Sequence, residues 1–247
     1  MISDNLVEKT FEYFDKYKDN KVVVTPSLPI LYFGDLDAYA NSELKIITVG
    51  KNPSDNEFRL TKSDSFSFVR FLNWNENTRN LIPSLNPYFK DKPLSQWFSC
   101  FEPILNGMSS SYYHKEQPNT ALHTDICSPL ATEPTWSRLS KKTQNDLFKE
   151  GFLIWKELIE ELEPDIMLVS IPRALFKSVF KTNGKELVVF NYKKDGEPRK
   201  KPYVVKLYEY ELNSTKKVKV VFGQAANKPF GTIHNKQKNK IGELCLK

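Results

Sequence analysis

The feature that most constrains this fold is an apolar, β-branched run that ends directly in a cluster of turn residues. The run occupies residues 45–49 (KIITV), and the turn residues occupy 50–55 (GKNPSD). Such a run is typical of a strand that is buried on both faces in a parallel sheet. The loop that leaves the carboxyl end of such a strand is where ligands bind in open α/β sheets. An ordinary βα turn has the same composition, so the spacing alone leaves that alternative open.

The residue types in this loop suit a ligand-binding turn. Gly50 lets the chain turn sharply, and Pro53 fixes the backbone directly after Asn52. The amide of Asn52 offers both a donor and an acceptor to a molecule above the sheet. Asn52 is therefore the first candidate functional residue.

The rest of the chain alternates predicted strands and helices. Buried strands are predicted at residues 120–127, 165–170 and 218–222, and a β-rich segment at 22–33. Helices are predicted over residues 4–18, with Asp4 as the cap, over 146–163, and from 172 onward.

Two alternating segments, 187–192 and 203–212, predict an inserted hairpin with a basic tip. The order of elements predicts an α/β fold, a three-layer sandwich whose mostly parallel central sheet is flanked by helices. We expect a single domain over residues 1–247, with the hairpin insertion at about 185–213.

Composition narrows the class of protein. The 247 residues suffice to bury a full core. There is no apolar run of membrane-spanning length and no signal-peptide pattern at the start, so we expect a soluble, cytoplasmic protein. The three cysteines lie far apart without a C-x-x-C pair, so we expect neither a disulfide framework nor a metal site, and no cofactor. The net charge of +6 permits a polyanionic partner.

A carboxylate and an imidazole lie close together in the predicted strand at 120–127. His123 and Asp125 are two residues apart, so their side chains share one face of the strand. A carboxylate at the end of an apolar strand must be paired, exposed in a cleft or in contact with a ligand. The alternatives are a hydrogen-bonded core histidine and an aspartate that pairs with His123 or with a lysine.

Aromatic and basic side chains supply further candidates. Most aromatic residues between positions 58 and 97 belong in the core, but Phe58 and Phe66 are candidates to stack on a base. The basic residues of the hairpin tip can hold phosphates or be solvated: Lys193, Lys194, Arg199, Lys200 and Lys201. Residues 236–240 form a second basic surface segment.

Taken in order, these parts resemble the uracil-DNA glycosylase superfamily from about Lys45 to Gly231. Residues 50–54 (GKNPS) are similar to the G-x-N-P-G loop of its single-strand-selective and mismatch-specific branches, in which the asparagine positions the hydrolytic water. Residues 162–170 (LEPDIMLVS) look like the superfamily's strand that leads into a helix. Residues 123–130 (HTDICSPL) resemble the strand that carries the base-reading asparagine. The resemblance implies a monofunctional DNA glycosylase that flips its target base out of the stack.

The chain departs from this family at two places. Residues 223–231 follow the last strand but lack the family's histidine-proline-serine loop. The work of that histidine would fall to Gln224, Asn227, Lys228 or His234. Asp125 stands where the resemblance expects asparagine, and this second departure bears directly on the substrate.

The resemblance and the chemistry of the residues together assign expected roles. The expected catalytic residues are Asn52, Asp55, Gln224 and Asn227. The expected base-binding residues are Asp125, His123, Phe58 and Phe66. The expected contacts to DNA are Lys51, Ser54, Lys228 and the basic residues of the hairpin tip. In this arrangement Asn52 holds the attacking water and Asp55 favours the cationic sugar.

Asp125 leads us to expect a base of cytosine type. A carboxylate accepts a hydrogen bond from the N4 amine of cytosine. The NH2 group of an asparagine is itself a donor, so it could not accept from that amine. To spare the host's own cytosines, the pocket should require a modified base, as in defence against phage DNA.

Three other functions stay open. The chain can be a uracil-DNA glycosylase of base-excision repair or a non-catalytic nucleic-acid-binding module on the same fold. It can also be a sugar or nucleotide hydrolase that uses Asp55 and Asp125 as paired carboxylates. In each case we expect a monomer.

Overall fold

The computed structural model describes residues 2–90, 93–113, 116–223 and 228–247. Its helices are α1 (Asp4–Tyr17), α2 (Leu36–Ala40), α3 (Leu81–Leu85), α4 (Ser95–Phe98), α5 (Glu102–Asn106), α6 (Lys141–Leu162), α7 (Arg173–Val179) and α8 (Asn235–Cys245). Its strands are β1 (Ile46–Gly50), β2 (Ser110–Ser111), β3 (Asn119–Thr120), β4 (Leu122–Asp125), β5 (Ile166–Val169), β6 (Lys185–Tyr192), β7 (Pro198–Glu211) and β8 (Lys217–Phe222). Short 3₁₀ helices occupy Asp55–Phe58 and Trp136–Arg138. No helix in the described part of the chain has the length and apolar character that a membrane span needs.

Within the described residues, six strands form a mixed, mostly parallel sheet in the order β4-β1-β5-β8-β7-β6. Strand β1 is parallel to β5, with Ile46 opposite Ile166, and β5 is parallel to β8. Strand β7 is antiparallel to both of its neighbours, β8 and β6. Every residue of β1 and β5 is buried, as expected for parallel strands that are covered on both faces. The predicted α/β fold with a mostly parallel sheet and helices is confirmed.

The chain divides into two compact units. The first comprises Met1–Ala40, Gly50–Leu94 and Leu122–Leu162, and the second comprises Asn41–Val49, Ser95–Ala121 and Glu163–Lys247. The single domain that the sequence suggests stays a prediction.

In the first unit, helix α1 packs along α6. The hydroxyl of Tyr13 donates to the backbone carbonyl of Leu147 at 2.8 Å, and Lys9 pairs with Glu157. Helix α6 is in turn tied to strand β4, because Trp155 Nε1 donates to the Thr124 hydroxyl at 3.1 Å.

Several predicted boundaries are wrong for local reasons. Ser3, not Asp4, caps α1, because its hydroxyl accepts from the backbone N–H of Leu6. Helix α6 begins at Lys141 because the hydroxyl of Ser140 accepts from the N–H of Thr143. The first turn of this helix is polar, so it has no apolar periodicity from which the sequence could predict it. Residues 22–33 contain isolated bridges but no strand, since two prolines interrupt the ladder.

The predicted hairpin exists, but it belongs to the main sheet. Strand β7 pairs with β6 on one side and with β8 on the other. Because β7 begins at Pro198, the basic residues Arg199, Lys200 and Lys201 lie in a strand and not in the tip. The predicted basic segment 236–240 lies in helix α8, where Lys238 is buried.

In the second unit, helices α5 and α8 approach each other closely at two glycines. A Cβ on Gly242 would overlap the carbonyl oxygen of Ile104 and lie 2.9 Å from Cα of Gly107. The neighbouring atoms belong to the backbone and cannot rotate away, so this contact requires glycine.

We expect Gly242→Ala to lower the free energy of unfolding by about 1–3 kcal/mol, the usual cost of overpacking, despite the better helix propensity of alanine. Urea denaturation followed by circular dichroism measures the change. Lys236→Ala, at an exposed position of the same helix, should change stability by no more than about 0.5 kcal/mol. Equal stability of Gly242→Ala and the parent would contradict the close helix contact.

Candidate active site

The loop after β1 lies beside the chain that leaves β4. The N–H of Ile126 donates to the carbonyl oxygen of Gly50 at 3.1 Å. The N–H of Cys127 donates to the carbonyl oxygen of Lys51 at 2.7 Å. Further along, Ser54 and Thr132 form a parallel bridge. Two segments of the first unit, 50–54 and 126–132, therefore run side by side and define the candidate site.

The side chain of Asn52 is anchored by its nitrogen. Nδ2 donates to the carbonyl of Leu130 at 3.2 Å, to the hydroxyl of Thr132 at 2.9 Å and to the carbonyl of Pro53 at 2.8 Å. Oδ1 accepts no hydrogen bond from any described residue, and the side chain is half-buried. The amide is thus fixed in orientation with its acceptor atom left for another molecule.

His123 and Asp125 lie against the end of strand β1, as their spacing predicts. Both are buried, and Asp125 is 7% exposed. A Cβ on Gly50 would overlap Oδ1 of Asp125 and lie 3.0 Å from Nε2 of His123. The two side chains can occupy this position only because residue 50 is glycine.

The imidazole of His123 is a weak partner for the Asp125 carboxylate. Nε2 lies 3.6 Å from Oδ1, beyond hydrogen-bond distance. The ring packs instead against Phe33, with centroids 5.5 Å apart, and the two backbones exchange hydrogen bonds. His123 therefore has the packing of a core residue, whereas Asp125 is a buried carboxylate with a distant partner.

Asp55, by contrast, has a directly paired cation. Its carboxylate pairs with the guanidinium of Arg59, which also reaches Glu133 at 3.0 Å and the carbonyl of Lys62. Asp55 is 6% exposed. Asp55, which is expected to favour the cationic sugar, is therefore held in an ion pair with Arg59.

The two aromatic candidates differ. Phe58 is 0% exposed and packs between Phe68 and Phe71, so the expectation that it stacks on a base is corrected: it is a core residue. Phe66 is half-buried, and the guanidinium of Arg59 lies 5.0 Å from its ring centroid. Of the two rings, only Phe66 retains accessible surface for a base.

Lys51 extends from the same loop. Its Nζ donates to the Ser137 hydroxyl at 2.7 Å, and within the described residues it pairs with no carboxylate. Burial lowers the pKa of the Lys51 ammonium group, while the charge of Asp125 opposes that shift. Lys51 and the half-buried Ser54 both flank Asn52, which suits contacts to a DNA backbone.

Glu57 is the residue of this site that the sequence reasoning missed. It lies in the 3₁₀ helix Asp55–Phe58 and is 3% exposed. The Tyr88 hydroxyl donates to its Oε2 at 2.6 Å, and Arg70 Nε lies 3.8 Å from the same oxygen. Burial raises the pKa of Glu57 to about 7; the Tyr88 hydrogen bond and Arg70 oppose the shift, and the charges of Asp125 and Asp55 add to it. No local sequence signal marks Glu57, because its partners Tyr88 and Arg70 come from distant positions in the chain.

The second unit carries the basic candidates. Lys193, Lys194, Lys200 and Lys201 are exposed, as is Lys228. Arg199 is instead held within the fold, because it donates to the carbonyls of Tyr192 and Thr232. Burial lowers the pKa of Lys238, and the charges of Lys194 and Lys228 lower it further.

The candidates of the last loop are only partly placed. Gln224 and Asn227 lie outside the described residues. His234 is the residue at the N-terminal cap of helix α8, and its backbone N–H donates to Oε1 of Gln237 at 2.9 Å. His234 therefore has a structural role.

Within the described chain, no group of three histidine, cysteine, aspartate or glutamate side chains is placed to hold a metal ion. The fold and site define an α/β protein with a polar loop and a buried carboxylate at the ends of two neighbouring strands. The chain matches no protein-family model and no curated protein.

The pKa of Glu57 makes stability depend on pH. Because its folded pKa of about 7 exceeds the ordinary 4.5, the folded protein binds the extra proton, and stability falls as pH rises from 4.5 to 7. Relative to Glu57→Gln, which cannot ionise, the parent should lose roughly 3 kcal/mol over this range. Urea denaturation at a series of pH values measures the difference.

The matched control is Glu76→Gln, at an exposed position of the same unit. Its stability should follow that of the parent at every pH. A difference between the parent and Glu57→Gln that stays constant from pH 4 to pH 8 would show that Glu57 does not take up a proton on folding.

Proposed function

We propose that the protein is a DNA glycosylase that hydrolyses the N-glycosidic bond of a flipped-out pyrimidine, a modified cytosine, and leaves an abasic site. The observation that carries the proposal is the Asn52 amide, anchored through its nitrogen, on a loop beside the buried carboxylate of Asp125. The resemblance of residues 50–54 to the water-positioning loop of the uracil-DNA glycosylase superfamily supports the same reaction.

The reaction needs a positioned water and stabilisation of a cationic sugar. Hydrolysis passes through an oxocarbenium-like sugar while the base departs with the bonding electrons. The free Oδ1 of Asn52 accepts a hydrogen bond from the attacking water and fixes its direction. Because Asp55 is neutralised by Arg59, the charge of Asp125 and the DNA phosphates are the remaining sources of stabilisation for the cation.

Asp125 determines the base in this proposal. Its carboxylate accepts from the N4 amine of cytosine, and a proton between the carboxyl group and N3 completes a bidentate match. An unpaired buried donor or acceptor costs about 1–3 kcal/mol, so aspartate rather than asparagine shifts the preference toward cytosine by a factor of about ten to a hundred. A bulky 5-substituent would let the pocket reject ordinary cytosine.

The cellular setting follows from this chemistry. We propose that the protein acts as a monomer in the cytoplasm, in defence against foreign DNA that carries modified bases. The exposed lysines of the second unit, Lys193, Lys194, Lys200, Lys201 and Lys228, supply phosphate contacts. Uracil repair and binding without turnover are the competing outcomes of the tests below.

The choice of base is tested with oligonucleotides that contain uracil, 5-hydroxymethylcytosine or glucosylated 5-hydroxymethylcytosine. We expect the parent protein to create abasic sites at a cytosine derivative, and Asp125→Asn to lose about ten- to a hundredfold of that rate relative to its rate on uracil. Cleavage of the abasic strand by alkali measures the product. Release of uracil alone would favour a repair enzyme, and tight binding in a gel shift without release would favour a binding module.

The role of Asn52 is tested by Asn52→Ala. Because the variant loses the acceptor that holds the water, the single-turnover rate should fall by about a hundredfold while DNA affinity is kept. Asn77→Ala, at an exposed position of the same unit, is the matched control and should keep the parent rate. An unchanged rate in Asn52→Ala would remove Asn52 from the mechanism.

A further inference from the structure

One end of the β6–β7 hairpin carries a large share of the positive charge of the protein. Residues 192–201, here called the hairpin end, contain five basic and two acidic side chains, while the whole chain has a net charge of +6. Within the described residues, its exposed lysines form no ion pair with a carboxylate: Lys193, Lys194, Lys200 and Lys201. Such a concentration of positive charge without counter-charges attracts a polyanion.

The backbone of the hairpin end is held in a defined turn. The N–H of Lys193 donates to the carbonyl oxygen of Glu197 at 2.8 Å, and the N–H of Gly196 donates to that of Lys193 at 3.2 Å. Gly196 has a φ of 86°, which favours glycine. Oδ1 of Asp195 accepts from the N–H of Glu197 at 3.1 Å, so this carboxylate supports the turn. The lysines are therefore presented by an ordered segment.

One face of the hairpin end is docked onto the protein through Arg199. Its Nε donates to the carbonyl oxygen of Tyr192 at 3.0 Å, and its guanidinium also donates to the carbonyl oxygen of Thr232. The guanidinium lies 5.6 Å from the ring centroid of Tyr203, which is buried. This arginine ties the hairpin end to the segment before α8, so its face is occupied by the protein itself.

The opposite face carries an exposed aromatic ring beside a lysine. Tyr192 pairs with Pro198 in the β6–β7 ladder, and Lys200 lies two residues after Pro198. The side chains of Tyr192 and Lys200 therefore share a face, and that of Arg199 lies on the other one. Tyr192 is 60% exposed. This face thus combines a ring on which a flat molecule can stack with cations that can hold phosphates.

We propose that this face of the hairpin end binds single-stranded DNA. Tyr192 stacks on an unpaired base, and Lys200, Lys193 and Lys194 contact the flanking phosphates. An unpaired base offers its face to the ring, whereas bases inside a duplex are already stacked on one another. The inference deepens the proposed function, on which the choice of DNA rests, by naming the form of DNA that the protein holds.

Other polyanionic partners use these residues less completely. An acidic peptide would neutralise the lysines but would give the ring of Tyr192 no flat partner. A membrane surface requires a broad apolar face next to the basic one. Tyr192 is the one aromatic residue in the sequence 192–201, and no leucine, isoleucine, valine or methionine accompanies it there.

The role of the ring is tested by fluorescence anisotropy with an unmodified oligonucleotide, offered as a single strand and as a duplex. Tyr192→Ala should weaken binding to the single strand by about five- to a hundredfold, the usual loss when one base–aromatic stack is removed. Binding to the duplex should stay at the parent level. Tyr192→Phe retains the ring and should keep the parent affinity for both forms.

The role of the lysines is tested by the salt dependence of the same binding. Lys200→Gln should weaken binding to both forms and reduce the slope of log affinity against log salt concentration by about 0.7 on the single strand, the loss of one phosphate contact. The matched control is Lys217→Gln, at an exposed position opposite the last residue of β7 and thus at the other end of that strand. This control should keep the parent slope.

The outcomes separate the inference from the proposed function. Equal single-strand affinity of Tyr192→Ala and the parent, an equal loss in Tyr192→Phe, or displacement of the DNA by poly-glutamate of the same charge would overturn the inference, even if the protein releases a modified base. Single-strand binding that requires the Tyr192 ring, without release of any base, would support the inference and overturn the glycosylase function.

Discussion

The absence of a side chain at Gly50 is the constraint on which the candidate site depends. Any Cβ there would overlap the Asp125 carboxylate and crowd the imidazole of His123. With that space available, the backbone of residues 50 and 51 accepts hydrogen bonds from Ile126 and Cys127, and the loop is held beside the chain leaving β4. The anchoring of Asn52 to Leu130 and Thr132 follows from the same alignment.

The two buried aspartates of the site, Asp55 and Asp125, differ in how closely each is paired with a cation. Asp55 is held by Arg59, and removal of either partner would leave a buried charge uncompensated. Asp125 has no such partner within hydrogen-bond distance among the described residues. A buried carboxylate without a close partner lowers the stability of a fold, and such a group at the end of a strand beside a polar loop is a candidate for a functional role. The contrast between these two aspartates is therefore an argument for function at Asp125.

The sequence predicted those features that depend on neighbouring residues. Strands β1 and β5 followed from short apolar runs, and the shared face of His123 and Asp125 followed from the alternation of a strand. Glu57 could not be predicted, because its partners Tyr88 and Arg70 come from distant positions and only the folded chain reveals its burial. The cap of α1 and the start of α6 depended on single serine hydroxyls, which periodicity does not register.

The two departures from the resembling family bear on different parts of the proposed reaction. Aspartate in place of asparagine changes which base the strand reads, because a carboxylate accepts from the N4 amine of cytosine, whereas the NH2 group of an asparagine would face that amine as a second donor. The missing histidine concerns the departing base, and two of the residues expected to replace it, Gln224 and Asn227, lie outside the described residues. Within the described part of the site, the proposal therefore depends on the anchored amide of Asn52 and the buried carboxylate of Asp125.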